Sequence, residues 1–279
     1  MIVVKKKFKI AIASSVILLL VAISYIVSSS LSGIPVLNYH QINNENYNAL
    51  TLSSQEFDAQ MDYLYHAGYT TISPKQLVDY FQYGTELPPN PILITFDDGY
   101  VDNYSVAYPI LQKYNFTATV FLITDFVGNN DRYLSWQQVR EMKDHGFSFQ
   151  SHTLSHILLS NASDDEIRSQ LIKSREGMEW RLKEKVEYLA YPGGDYDQRT
   201  IELAKQAGYR AAFTINLGRD TKNCSLFTLQ RIPIFETSHS FLRFKIRLRC
   251  TQFLTAMQDL KVTLNNWGAC KIASWIYIP

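Results

Sequence analysis

Residues 91–99 read PILITFDDG, an apolar run that ends in two adjacent aspartates and a glycine. The apolar part has the composition of a buried β-strand, and Asp97 and Asp98 come where that strand meets its loop. Two like charges in an apolar setting disfavour joint ionisation, so a metal ion that takes one carboxylate as ligand would leave the other as a base. A simple turn is the alternative, because Asp and Gly are favoured wherever a chain reverses.

Two histidines downstream offer further ligands for a metal ion. Residues 151–156 read SHTLSH, which places His152 and His156 four residues apart. This spacing predicts that both imidazoles lie on one side of a helical turn. The alternative for each histidine is a surface position or a satisfied place in the core.

Short β-branched or aromatic runs alternate with amphipathic segments from residue 33 onward. This alternation predicts an α/β fold with repeated strand and helix units around a parallel sheet, and eight strands suggest a (β/α) barrel. The predicted strands are Ile34–Tyr39, Thr70–Ile72, Ile92–Phe96, Ala118–Ile123, Phe147–Ser151, Val186–Tyr191, Ala211–Ile215 and Phe227–Ile234.

Polar groups follow several of these strands. His40 follows the first strand, the two aspartates follow the third, His152 ends the fifth, and the segment 191–195 follows the sixth. The carboxyl ends of parallel strands meet at one rim, where α/β barrels carry their catalytic groups. The sequence therefore predicts a single site at that rim.

The length and charge of the chain favour a single domain and argue against a nucleic-acid-binding protein. The chain of 279 residues contains 27 lysines and arginines and 26 acidic residues, and four of the lysines precede every acidic residue. The remainder then carries 23 basic and 26 acidic side chains, so it lacks the excess of basic residues that is typical of nucleic-acid-binding proteins. We expect one domain over 34–279, with its core motifs within 91–234 and a tail over 236–279 that has no clear strand and helix alternation.

The N-terminal segment 1–33 has the features of a membrane anchor. Four lysines precede eighteen uncharged residues, Ile10 to Val27, and a serine-rich stretch follows. Eighteen residues at helical rise approach the hydrocarbon thickness, and flanking lysines favour the cytoplasmic side, so the rest of the chain would lie outside the cytoplasm. A cleaved signal peptide, which would release the protein, is the alternative.

The motifs at 95–99 and 151–156 resemble the first two motifs of the polysaccharide deacetylases, carbohydrate esterase family four, which carry the NodB homology domain. Residues 34–40, IPVLNYH, and 189–194, LAYPGG, resemble the branch that N-deacetylates poly-β-1,6-N-acetylglucosamine in biofilm formation. The resemblance extends over about 34–234 and implies a distorted (β/α) barrel of the NodB type.

The resemblance also implies a metal site and a base. Asp98, His152 and His156 would hold a divalent metal, most plausibly Zn²⁺, with open coordination for water and the acetyl oxygen. Asp97 would take a proton from that water. Arg231 either orients Asp97 or is an ordinary structural arginine.

The resemblance also implies residues that act on the leaving group and residues that bind the substrate. His40 would protonate the leaving amine, and the segment Tyr191-Pro192-Gly193 would bind the substrate, with a backbone N–H near Gly193 stabilising the oxyanion. The chain departs from the wider family at Ala190, where an arginine is usual, and at Gly193, where an aromatic residue is usual. The branch shares the first departure.

These inferences predict an extracytoplasmic, membrane-tethered N-deacetylase of an N-acetylglucosamine polymer, whose partners are that polysaccharide and the membrane. Peptidoglycan or chitin oligomers are the alternative substrates. A non-catalytic carbohydrate-binding protein is the alternative from another class, and protein partners stay unassigned.

Overall fold

The computed structural model describes residues 33–45, 48–234, 241–268 and 270–274. The predicted anchor, residues 10–27, lies outside these residues. Among the helices that are described, none combines the length and the apolar character needed to cross a bilayer.

Each of the eight predicted strand segments contains a strand, and two short further strands occur near the N-terminus of the described chain. In chain order the described strands are β1 (Val36–Tyr39), β2 (Gln41–Ile42), β3 (Thr51–Leu52), β4 (Thr70–Thr71), β5 (Pro91–Phe96), β6 (Thr119–Leu122), β7 (Ser148–Ser151), β8 (Tyr188–Ala190), β9 (Ala211–Leu217) and β10 (Leu229–Pro233). Sequence reasoning missed β2 and β3 because two-residue strands have no readable alternation.

Seven of the strands close into a barrel. The order β1-β10-β9-β8-β7-β6-β5 returns to β1, and every pairing is parallel. Leu37 closes the ring, since it lies opposite Ile94 on one side and Ile232 on the other. The eighth strand, β4, pairs only with the start of β5. The (β/α) barrel is thus confirmed, with seven strands in the closed ring.

Helices follow most of the strands. The described α-helices are α1 (Ser54–His66), α2 (Pro74–Tyr83), α3 (Tyr108–Lys113), α4 (Trp136–Asp144), α5 (Asp164–Leu182), α6 (Gln198–Gln206), α7 (Phe241–Arg249), α8 (Thr251–Asn266) and α9 (Cys270–Ala273). Four of them begin after a serine whose hydroxyl accepts the N–H three residues on, which satisfies a backbone donor that the helix itself leaves open. These serines are Ser53, Ser73, Ser135 and Ser163.

Apolar side chains fill the barrel and its flanks. Tyr39, Phe57 and Phe96 form one buried aromatic cluster, with ring centroids 5.2 to 5.8 Å apart. Phe121 of β6 and Phe213 of β9 pack against each other across the barrel, with ring centroids 5.4 Å apart. Burying whole aromatic rings contributes strongly to the free energy of folding, so this core holds the strand ends in place.

The described chain divides into two compact units. The barrel unit ends at Phe244, and its last residues contact the barrel helices through Tyr63, whose ring lies 5.7 Å from Phe241 and 6.1 Å from Phe244. The described residues of the other unit start at 245 and are mainly helical. The described part of the tail for which the sequence showed no clear alternation is therefore helix.

Candidate active site

The chain reverses sharply after β5. Asp98 has a φ of 71° and Gly99 a φ of 78°, both in the left-handed region. Aspartate tolerates that region, and glycine suits position 99 because of its positive φ and because a Cβ there would lie 2.5 Å from Cδ2 of Leu122, whose side chain would have to shift. The turn leaves both carboxylates at the rim and buried, with Asp97 1% and Asp98 6% exposed.

His152 follows β7 directly and is held on two sides. Its main-chain N–H donates to the carbonyl of Leu122 at 2.9 Å, and its Nδ1 lies 2.7 Å from the carbonyl oxygen of Ala190. The second contact places a proton on Nδ1 and leaves Nε2 as the ligand atom. Sequence reasoning missed this use of the Ala190 carbonyl, since any residue type supplies a backbone oxygen.

His156 reaches the same place by a loop, not by the helical turn that its spacing suggested. Thr153 and His156 both have positive φ, 66° and 62°, so residues 152–156 cannot be helical. The loop is held instead by local bonds: the His156 N–H donates to Oγ1 of Thr153 at 3.1 Å, and the Thr153 N–H donates to Oγ of Ser151 at 3.1 Å. The expected convergence of the two imidazoles occurs with a different backbone.

Three side chains from two loops meet at one point. Oδ1 of Asp98 lies 3.4 Å from Nε2 of His152 and 3.4 Å from Nε2 of His156, and the candidate ligand atoms lie within 4.8 Å of one another. Both contacts are longer than a good N–H···O hydrogen bond. One carboxylate and two imidazoles are a donor set that suits a divalent cation such as zinc, with a position left open.

The Asp98 carboxylate supports this fit. Its Oδ1 is buried and has no hydrogen-bond partner among the described residues. A buried acceptor without a partner is costly, and a cation between the carboxylate and the two imidazoles would satisfy it. The structure thus contains a possible Asp–His–His metal site.

The charges of this cluster are strongly coupled. Burial lowers the pKa of His152, but Asp97 and Asp98 raise it by more, so the pKa lies above its ordinary value. Burial and the neighbouring His152 lower the pKa of His156. Because a ligating nitrogen must be unprotonated, a metal ion at this site would compete with a proton for Nε2 of His152.

Asp97 forms a buried ion pair beside the cluster. Arg231 of β10, fully buried, donates from both terminal nitrogens to the two carboxylate oxygens at 2.8 and 2.7 Å, and Asn38 of β1 donates to Oδ2 at 3.0 Å. Burial raises the pKa of Asp97, but Arg231, His152 and His40 together lower it by more, with Arg231 the main contributor, so the pKa lies well below its usual range. Of the two interpretations of Arg231, the structure supports the one that orients Asp97.

His40 lies in the same electrostatic field. Burial lowers its pKa, and the charges of Asp97 and Asp98 oppose that shift without cancelling it. The side chain of Asn103 donates to the His40 carbonyl at 2.7 Å, from a short π-helical turn at Asn103–Ala107. Asn103 was missed in the sequence because its backbone contact leaves no residue pattern.

The segment after β8 presents its backbone more than its side chains. Tyr191 is fully buried, its hydroxyl donates to the Phe227 carbonyl at 3.1 Å, and its ring stacks on Tyr196 at 5.0 Å. Pro192 is buried, whereas Gly193 is exposed and has a φ of 61°. Of the three residues predicted to bind the substrate, Gly193 is the one exposed to solvent.

The chain is similar to known proteins. The family described as Polysaccharide deacetylase matches residues 84–212. YxkH of Bacillus subtilis (strain 168), which is named as a polysaccharide deacetylase, is 32% identical over 201 residues, covering 72% of this chain and 71% of that protein. The poly-beta-1,6-N-acetyl-D-glucosamine N-deacetylase of Staphylococcus aureus (strain MSSA476) is 27% identical over 233 residues, covering 74% of this chain and 80% of that protein.

A solved structure is similar as well. The Streptococcus pyogenes deacetylase PplD in complex with acetate aligns with a TM-score of 0.70 and 32% identity, covering 73% of this chain and 92% of that chain. The sequence similarity and the fold similarity agree, and the chain belongs to the polysaccharide deacetylase family of hydrolytic N-deacetylases.

Proposed function

We propose that this protein is a metal-dependent hydrolase that removes N-acetyl groups from an N-acetylglucosamine polymer, with poly-β-1,6-N-acetylglucosamine as its substrate. The observation that carries the proposal is the convergence of Asp98, His152 and His156 beside the buried pair Asp97–Arg231. Amide hydrolysis needs an activated water, charge stabilisation at the carbonyl oxygen and a proton for the amine, and this rim offers groups for each.

Asp98, His152 and His156 would hold the cation, which we assign as zinc. One carboxylate and two imidazoles leave room for water and for the acetyl oxygen, as catalytic zinc sites require. When bound, zinc supplies a Lewis acid for the carbonyl and lowers the pKa of water toward neutrality.

Asp97 is the proposed base. Its carboxylate stays ionised over the physiological pH range because Arg231 holds its pKa low, so it is always ready to accept a proton from the attacking water. Arg231 and Asn38 fix both oxygens, and this keeps the carboxylate from rotating toward the ligands. Orientation of this kind lowers the entropy cost of the proton transfer.

His40 and Gly193 complete the proposed reaction. As the C–N bond breaks, the amine must receive a proton, and His40 delivers it; burial lowers the pKa of His40, so its protonated form is a stronger acid than an exposed imidazolium. The exposed backbone at Gly193 donates an N–H to the developing oxyanion. The products are acetate and a free amine on the sugar.

The choice of polymer rests on similarity and on the rings near the cluster. The relative that acts on poly-β-1,6-N-acetylglucosamine, by its name, aligns over 80% of its length. Tyr100, two residues after Asp98, stacks on Tyr133 with ring centroids 5.1 Å apart, and both rings are half-buried. Aromatic faces of this kind suit pyranose rings.

Acetate release from a panel of glycans tests the proposal. We expect the zinc-loaded protein to release acetate from β-1,6-linked N-acetylglucosamine oligomers faster than from β-1,4-linked chitin oligomers or peptidoglycan. Chelation should abolish the release, and added zinc should restore it, because the carboxylate and imidazoles cannot supply the Lewis acid themselves.

Two outcomes of this assay would overturn different parts of the proposal. A preference for β-1,4 linkages would contradict the proposed substrate but would still support the proposed deacetylation reaction. No acetate from any glycan, while a control deacetylase releases it under the same conditions, would reject the reaction.

A further inference from the structure

The loop that carries both histidines is held from outside by helix α5. Gln170 and Ser174 lie four residues apart on this helix, therefore on one face, and both are buried. The Ser174 hydroxyl lies 2.8 Å from the hydroxyl of Ser151, and the Gln170 side chain contacts Ser155. Each contact reaches the serine that immediately precedes one of the two histidines.

Gln170 holds Ser155 at two points. Its Oε1 accepts the Ser155 main-chain N–H at 2.9 Å, and its Nε2 donates to the Ser155 Oγ at 2.7 Å. The first bond holds the backbone of Ser155 and the second holds its side chain. The carboxamide is suited to this pair of contacts because it carries an acceptor and a donor side by side.

His156 depends on this support more than His152 does. The His156 side chain is 35% exposed, whereas that of His152 is 2% exposed. His156 also has a positive φ, as does the β-branched Thr153 that caps it, and such residues persist only where the surroundings hold them. The His156 ring contacts the His152 ring, with centroids 4.8 Å apart, but it is otherwise partly open to solvent, so the backbone at Ser155 helps to set its direction.

We propose that Gln170 is a positioning residue for metal binding: by clamping Ser155 it fixes the His156 imidazole toward Asp98. Gln170 itself touches neither the cation nor the substrate. The inference rests on the proposed function only through the metal site.

The test is the zinc affinity of the metal-free protein, measured by competition with a chromogenic chelator. Gln170→Met keeps the length and helix propensity of the side chain and removes both hydrogen bonds. We expect its dissociation constant for zinc to rise about tenfold or more, in line with the loss of other groups that orient metal ligands. Gln170→Glu should return to within a few-fold of wild type, since a carboxylate accepts both the N–H and the hydroxyl of Ser155.

Gln137→Met is the matched control, because Gln137 is an exposed glutamine of α4. Its zinc affinity should equal that of wild type. The melting temperature of each metal-free variant separates positioning from general destabilisation: Gln170→Met should lose affinity at a temperature where it is fully folded. Ser155→Ala, which removes one of the two bonds, should weaken zinc binding less than Gln170→Met does, and it carries the test if Gln170→Met does not fold.

Wild-type zinc affinity in folded Gln170→Met, or in folded Ser155→Ala if that variant has to replace it, would overturn the proposal, as would an equal loss in Gln137→Met. Failure of the deacetylase assignment looks different. In that case the wild-type chain would bind zinc and Gln170→Met would bind it weakly, yet neither would release acetate.

Discussion

Asp97→Asn is expected to lower acetate release by about 10²- to 10⁴-fold, the usual contribution of a positioned base. The amide cannot accept a proton from water at neutral pH. Zinc binding should stay within a few-fold of wild type, because the three proposed ligands are unchanged. The measurement pairs single-turnover acetate release with zinc affinity on the same folded sample.

The contrast with Asp98→Asn makes the result specific. That variant should lose zinc affinity together with activity, since Asp98 is a proposed ligand and lies 3.4 Å from both imidazole nitrogens. Asp62→Asn, at an exposed position of α1, controls for the loss of a negative charge. Turnover close to wild type in folded Asp97→Asn would remove the base from the mechanism.

Arg231→Met is expected to lower the free energy of unfolding by about 3–5 kcal/mol, the usual cost of leaving a buried charge without its partner. Arg231 also donates to the Thr214 carbonyl at 2.7 Å, so a strand contact is lost as well. Urea unfolding followed by circular dichroism measures the effect. Arg140→Met, at an exposed arginine of α4, should change stability little.

The same variant should change the pH dependence of activity. Burial alone raises the pKa of Asp97, and Arg231 is the main group that lowers it. Without Arg231 the carboxylate takes up a proton at higher pH, so the acid limb of the activity profile should move upward. The stabilisation from the lowered pKa is present above the unfolded value of about 3.9 and is lost as the pH falls through the folded value.

Two further variants test whether loss of the Asp97–Arg231 ion pair causes the effects expected of Arg231→Met. Arg231→Lys restores the charge without the fork, and we expect an intermediate stability. The double variant Asp97→Asn with Arg231→Met removes both charges. Its decrease in the free energy of unfolding should therefore be smaller than the sum of the decreases in the two single variants. Strict additivity, or an unchanged acid limb in Arg231→Met, would contradict the assigned role of Arg231.

Most of the barrel could be predicted from the sequence because its strands are short apolar runs bounded by turn residues. All eight predicted segments contain strands, and the polar groups that follow them gather at one rim. The parallel topology makes this convergence a general consequence of the fold. The additional pair β2 and β3 could not be predicted, since each has two residues and depends on tertiary context.

The buried supports of the site were harder to predict than the candidate ligands. Asn38 is a buried polar residue inside a strand that is otherwise apolar, and this is the signal that could have found it. For Arg231 the sequence left two alternatives open, pairing with Asp97 or an ordinary structural role, because the two residues lie 134 positions apart. Only the closed barrel brings β10 and β5 to opposite sides of β1.

The histidine loop shows the limit of spacing arguments. A spacing of four residues between the histidines fits a helical turn, yet the chain uses two left-handed residues at Thr153 and His156. No local propensity favours that conformation for threonine, so it is held by contacts from the neighbouring β6 loop and from α5. The membrane anchor at residues 10–27 and the location outside the cytoplasm stay predictions.

Zinc-edge X-ray absorption of the purified full chain with one equivalent of zinc tests the central claim most directly. The account predicts two imidazole nitrogens and one carboxylate oxygen at about 2.0–2.2 Å. It also predicts the loss of one imidazole in His156→Ala. A zinc ion that keeps only water ligands, or a spectrum that does not change in His156→Ala, would contradict the account.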